Sequence, residues 1–174
     1  MTMSDIFQSP AYHKTSSKTA IKSVQWQGFF ASEGDHHWLG DGIYFWQYYR
    51  DALWWDGKYK DPVILIADLI CERRLFLDLD NDKEKTLFYE YMEKSARMFA
   101  LSGFDFAVSN DEIISGGSCN YFKVKFGIEL IRYSFPEKNG RPQFCATTYK
   151  TAKNIRMVSE NTEGVLGEDQ YGYI

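Results

Sequence analysis

The run Pro62-Val-Ile-Leu-Ile-Ala-Asp-Leu69 constrains the fold of this chain more than any other segment. Its apolar residues, Val63 to Ile70, are broken only by Asp68. That is far short of the roughly 20 residues needed to cross a bilayer. A short, continuous apolar run bounded by Pro reads as a buried strand, so the chain must be organised around a sheet.

The other elements are read against that strand. Ile43–Trp46 is a strand introduced by two glycines, and Leu75-Phe-Leu-Asp-Leu79 is another. Phe122, Val124, Phe126, Ile128 and Leu130 alternate strictly, the period of a half-buried strand. A turn over Pro136 to Gly140 leads to a strand over Gln143–Thr148, and Ile155–Val158 is a last one. Ser16–Ser17 cap a helix in which Ala20, Ile21 and Val24 share a face, with Gly28 as its stop signal. Tyr49, Ala52 and Leu53 mark a short helix. Asn81 or Asp82 caps a helix running to about Ala100, with Phe88, Tyr91, Met92, Ala96 and Phe99 on one face and Gly103 ending it. This order predicts an α+β domain with sheets packed face to face. At 174 residues it is one domain, 1–174, whose Gly-rich, acidic tail Glu160–Ile174 reads as a loose arm.

Aromatic residues make up 17% of the chain, enough to line a cleft for a flat ligand as well as fill a core. The net charge of -4 excludes a global basic field that would draw in nucleic acid. It leaves room only for a local groove, for which Lys123, Lys125, Lys150, Lys153 and Arg156 are available, although Lys123 and Lys125 read first as solvent-side strand residues. Cys71, Cys119 and Cys145 are far apart and form no CxxC, which argues against a disulfide framework or structural zinc and for a reducing, cytoplasmic setting. The N-terminus has no apolar signal region and no membrane segment is expected. Asp78-x-Asp80-x-Asp82 opens like a calcium loop, but Lys83 and Tyr89 stand where Gly and Glu are required, so it reads as an acidic turn capping a helix. His36 and His37 are adjacent with no nearby Cys, a poor chelate, and read as a loop lining a cleft. Lys14, Lys18 and Lys22 fall at helical spacing and read as a solvated face.

Two segments carry chemistry together. Tyr12-His13-Lys14-Thr15-Ser16 places a His beside hydroxyls ahead of a helix, and Trp38-Leu-Gly-Asp-Gly-Ile-Tyr-Phe-Trp46 is an aromatic strand introduced by Gly40 and Gly42. Alone, His13 is an ordinary half-buried histidine and Tyr44 a core tyrosine. In this order and spacing they resemble the nicotinamide-binding core of the ADP-ribosyltransferase superfamily, in its His, Tyr and third-polar-residue branch. Arg50-Asp51-Ala52-Leu53 is similar to the helix after that strand. The resemblance is strong from Tyr12 to about Trp55, weak over Gln143–Val158, and rests on element order alone over residues 56–140.

The resemblance implies two packed, mainly antiparallel sheets around an NAD cleft with a few short helices. NAD is then the co-substrate. His13 and Thr15 hold the ribose and nicotinamide, Tyr44 stacks on the ring, and Gln143 orients the ribose. Lys14, Ser16 and Gly42 complete the cofactor-binding set. Cleavage of the nicotinamide–ribose bond passes through an oxocarbenium-like state, as glycoside hydrolysis does. The chain departs from the family twice. Lys14 stands where Gly is usual, and a Lys does not take positive φ cheaply; Lys14 could instead face the diphosphate or the acceptor. Gln143 stands where a Glu is frequent, and Gln has no charge to offer the cation or a proton. Glu33 or Asp41 could compensate.

The expectation is therefore transfer of a single ADP-ribose to a protein or nucleic-acid acceptor. Small members of this kind resemble bacterial toxins used in conflict or phage defence, which implies an antitoxin partner. The exposed aromatics near Tyr48–Trp55 are available for docking, although a core helix is their commoner use. The alternatives are a catalytically inactive module binding NAD, ADP-ribose or nucleic acid, and an NAD glycohydrolase. An RNA 2′-phosphotransferase ranks last, with only His13, His36 and His37 to serve it.

Overall fold

The computed structural model describes residues 5–31, 37–55, 59–101, 114–136 and 139–158. In chain order these hold β1 (Ile6–Ser16), α1 (Ser17–Trp26), β2 (Ile43–Trp46), α2 (Tyr49–Trp54), β3 (Pro62–Glu72), β4 (Phe76–Asp78), α3 (Asp82–Leu101), α4 (Gly116–Phe126), β5 (Leu130–Phe135), β6 (Arg141–Ala146) and β7 (Ala152–Met157). The long apolar run is β3. It lies between β1 and β7 in a seven-stranded sheet of order β4-β5-β6-β2-β1-β3-β7, so both its edges are paired. Leu65, Ala67 and Leu69 are buried on one of its faces, and Ile64 and Ile66 on the other. Every pairing is antiparallel except that of β4 with β5. The architecture is α+β with a mixed sheet.

What the element order predicts as separate sheets is one hydrogen-bonded sheet that folds over. Its halves, β4-β5-β6-β2 and β1-β3-β7, are joined through a single register pair, Tyr12 with Trp46. By contrast β1 and β3 pair continuously from Ile6 with Glu72 to Ser16 with Pro62. The fold-over brings Phe7 on β1 against Phe76 on β4, far away in strand order, with ring centroids 3.9 Å apart. Between the halves lies a core of Ala11, Ile43, Phe45, Leu69, Leu130 and Phe144, closed by Ala20 of α1. The opposite face carries two separate apolar clusters. Leu77, Phe88, Met92, Cys119 and Phe122 pack beneath α3 and α4. Tyr12, Trp46, Ala52, Ile64 and Ile66 pack beneath α2.

The helix ends follow the sequence signals. Ser16 Oγ accepts from the Thr19 amide and starts α1. The helix buries Ala20 and Ser23, whereas Ile21 is exposed and off the expected face. It ends in a left-handed residue, Gln27 (φ 49°), just before Gly28. Asn81 Oδ1 accepts from the amides of Lys83 and Glu84 and starts α3, which buries Phe88 and Met92. The side chain of Phe99, Gly103 and the arm Glu160–Ile174 lie outside the described residues. Among the described residues no helix is long and apolar enough to cross a membrane.

Residues 122–126 correct the sequence reading. They belong to helix α4, not to a strand. Ser115 and Ser118 form a reciprocal box, each hydroxyl accepting the other's amide at 3.3 and 2.9 Å, and Gly127 closes the helix at φ 66°. These end signals outweigh the alternating spacing. The helix buries Cys119, Phe122 and Lys123, one face at i, i+3 and i+4, and leaves Val124 87% exposed. Lys123, expected on the solvent side, is therefore inside. In denaturant unfolding, Phe122→Ala should cost about 3–4 kcal/mol, whereas Val124→Lys should change stability by no more than about 0.5 kcal/mol. A strand with both residues on its inner face would make both substitutions costly.

Candidate active site

β1 and β2 part immediately after Tyr12 meets Trp46. Had the ladder continued, His13 would oppose Phe45 and Lys14 would oppose Tyr44. Instead His13 Nδ1 approaches the Tyr44 carbonyl oxygen at 2.7 Å, a side chain standing where a strand partner would be. A carbonyl only accepts, so Nδ1 carries the hydrogen and neutral His13 keeps its lone pair on Nε2. Burial pushes the His13 pKa below its ordinary value, and the bond to Tyr44 offsets part of that. Phe29 and Phe45 flank the ring at 5.0 and 5.6 Å.

A cleft of about 370 Å³ opens at this split, and His13, Tyr44 and Gln143 all line it. They arrive from β1, β2 and β6, which are neighbours in the sheet. Gln143 opposes Trp46 across the β2–β6 ladder and so shares its face. It is only 4% exposed, not the exposed strand residue its place near a turn would predict. Its Oε1 is buried without a hydrogen-bond partner. An unpaired buried acceptor costs about 1–3 kcal/mol, which a ligand hydroxyl or amide can recover. The rest of the wall is mostly aromatic, with Trp38, Trp46, Trp55 and Tyr59, and also holds Lys14 and His37. Trp46 and Trp55 lie 5.8 Å apart, and Trp38 meets Trp55 edge-on at 5.9 Å. No carboxylate lines the cleft among the described residues.

Tyr44 has a second task. Its hydroxyl donates to Gly40 O at 2.7 Å and accepts from the Leu39 amide at 2.9 Å. Burial raises its pKa, so the phenol is neutral. The ring therefore faces the cleft while the hydroxyl holds the turn before β2. Gly40 sits in that turn at φ 77°, and a Cβ there would come within 2.1 Å of Asn120 Oδ1. Gly42 meets β6 as closely: a Cβ would lie 2.6 Å from both Ala146 O and Cys145 Sγ. Gly42 thus packs the turn against the sheet and does not line the cleft.

Of the remaining expected binding residues, Lys14 also lines the cleft, whereas Thr15, Ser16 and Gly42 do not. Thr15 is buried, and Ser16 is the α1 cap. Lys14 lies in the regular β1–β3 ladder opposite Ile64, outside the left-handed region, so the Gly-to-Lys departure strains nothing. Its ammonium donates to Leu53 O at 3.0 Å and Trp55 O at 2.6 Å, holding the last carbonyls of α2. It stands at the cleft wall with its ammonium engaged by these carbonyls, on a strand, and so does not share a helical face with the exposed Lys18 and Lys22. Asp41 stands beside the cleft wall, its carboxylate 4.0 Å from His37 Nδ1. Glu33 and His36 lie outside the described residues. Asp78 and Asp80 pair with Arg132, and the described residues contain no cluster able to hold a metal.

Sequence reasoning missed the Trp38, Trp46, Trp55 and Tyr59 wall, whose signal was the aromatic density between residues 38 and 59. It also missed Lys123, whose Nζ donates to Asp41 O at 2.8 Å and to Cys145 Sγ at 3.2 Å. No pattern marks a lysine inside a helix for burial.

Compared with curated proteins, the chain is 38% identical over 85 residues to an uncharacterized protein of Methanocaldococcus jannaschii, covering 44% of this chain and 40% of that one. The chain thus spans about two fifths of the length of that relative. No family model matches the chain, and no solved structure matches it.

His13 makes stability depend on pH. The folded state disfavours its proton, so the unfolded chain binds more protons and stability rises with pH. The contribution is complete above about pH 6.5 and is lost as pH falls from there toward the folded-state value. The melting temperature of the wild type should fall on acidification through this window, and His13→Gln should flatten that fall. Tyr44→Phe should cost about 1–3 kcal/mol by leaving the Leu39 amide and Gly40 carbonyl short of a partner, read as a shift in the denaturation midpoint.

Proposed function

We propose that the chain is an NAD-dependent mono-ADP-ribosyltransferase, which cleaves the nicotinamide–ribose bond and passes ADP-ribose to a protein or nucleic-acid acceptor. The observation that carries this reading is the buried, unpartnered Gln143 Oε1 in one cleft with His13 and Tyr44. The Tyr12–Ser16 and Trp38–Trp46 segments point to NAD by resemblance. An α+β sheet folded over its own core is compatible with the ADP-ribosyltransferase-like fold that this reading requires.

The chemistry follows from the side chains. The nicotinamide lies flat against Tyr44 within the aromatic wall. Ribose hydroxyls donate to His13 Nε2 and to Gln143 Oε1. Fixing the ribose this way favours the flattened, oxocarbenium-like geometry as the bond to nicotinamide breaks. The leaving nicotinamide takes the electron pair, and the acceptor bonds to the ribose carbon. Gln143 offers neither charge nor a proton site, which fits a single transfer better than chain building. The biological setting is that of a toxin or phage-defence effector, held in check by an antitoxin.

A second reading is a module that binds NAD or ADP-ribose without turnover. The lack of any carboxylate among the described lining residues favours it. Glycohydrolase activity, with water as acceptor, would use the same cleft. Incubation with labelled NAD and separate pools of protein, RNA and DNA separates the three. Transfer predicts nicotinamide release and label in one pool, both reduced at least about 100-fold in His13→Ala. Release without label selects the glycohydrolase. Binding with neither release nor label overturns the enzyme and leaves the module. Absence of binding overturns the assignment to NAD.

A further inference from the structure

ADP-ribosyl transfer liberates a proton. For an acceptor X–H, the ribose–nicotinamide bond breaks with its electrons going to the pyridine nitrogen, the ribose–X bond forms, and the proton of X–H must leave. The residues already assigned cannot take it. The Gln143 amide has no proton site at working pH. His13 spends its Nδ1 hydrogen on Tyr44 O, and its Nε2 meets the ribose.

We infer that His37, backed by Asp41, is the general base that accepts this proton. The inference rests on the transferase reading and deepens it. His37 lines the same cleft, with its ring 5.5 Å from that of Tyr44 and tilted by 39°. Its Nδ1 is buried without a hydrogen-bond partner and lies 4.0 Å from Asp41 Oδ1. With Nδ1 turned to the carboxylate, Nε2 takes the proton. Asp41 offsets the resulting imidazolium until the proton passes to water.

The pair is held before any ligand arrives. His37 O accepts the Gly40 amide at 3.0 Å. Gly116 at the start of α4 packs so closely that a Cβ would lie 2.3 Å from His37 O. Asn120 grips Asp41 twice, accepting its amide at 2.8 Å and donating to its carboxylate at 3.0 Å. Lys123 holds the Asp41 carbonyl from the same helix. A base fixed by its surroundings loses no freedom at the moment of reaction. The titratable groups packed around the pair are the Lys123 ammonium on α4, the Tyr44 phenol on β2 and the Cys145 thiol on β6, and burial keeps the last two protonated.

The test uses the full chain, NAD, and two nucleophiles: water, which must lose a proton, and azide, which has none to lose. With water, His37→Gln should lower kcat for nicotinamide release about 100-fold, with KM changed by less than about threefold. Azide should restore turnover in His37→Gln and give ADP-ribosyl azide at close to the wild-type rate. Asp41→Asn should show the same pattern with a smaller loss. His37→Gln turning over water like the wild type overturns the assignment. So does an equal loss with both nucleophiles, which marks a structural role. Failure of the wild type itself to release nicotinamide with water, azide and the pools of protein, RNA and DNA alike is different: it overturns the transferase reading, and the base falls with it.

Discussion

The single pairing of Tyr12 with Trp46 is the constraint on which the rest of the structure depends. Each strand at that junction is committed elsewhere. β1 is paired to β3 along its whole length, and β2 to β6 from Ile43 to Trp46. Folding the sheet over its core, so that Phe7 reaches Phe76, draws the two apart beyond that pair. A full β1–β2 ladder would bury the ground on which the cleft stands. Its lost hydrogen bonds are replaced in part by His13, whose imidazole meets the Tyr44 carbonyl at the split.

The elements around the split are arranged to keep it open and rigid. On one side Lys14 ties the end of α2 to β1. On the other, α4 fastens the turn before β2 through Asn120 and Lys123, and Tyr44 pins that turn from within. The buried lysine is costly unless its ammonium is satisfied, and here it is bound by the Asp41 carbonyl and the Cys145 sulfur. Two of the buried polar groups left without partners lie at the cleft: Gln143 Oε1 and His37 Nδ1. A fold that satisfies Lys123 in its interior yet leaves these two unpaired sets two unmet hydrogen bonds where a ligand can meet them.

Much of this was legible in the sequence. The apolar run of β3, the caps at Ser16 and Asn81, and the strand over Ile43–Trp46 are local signals that tertiary packing reinforced. His13, Tyr44 and Gln143 could be grouped only by resemblance, because nothing local sets β6 beside β2. The alternation of Phe122, Val124 and Phe126 imitates a strand, while the local signals of α4 are its delimiting residues, Ser115 and Gly127. The roles of Lys14 and Lys123 could not be read, since each depends on carbonyls that the fold brings from distant parts of the chain. The two-sheet expectation was right about packing across a shared core and wrong about continuity, because one residue pair suffices to join the halves.

The most direct measurement is a structure of the protein with a non-hydrolysable NAD analogue. The account predicts the nicotinamide against Tyr44 and a ribose hydroxyl within hydrogen-bond reach of Gln143 Oε1, with β1 and β2 still parted beyond Tyr12 and Trp46. An analogue bound elsewhere, or a cleft that stays empty at saturating analogue, would contradict it.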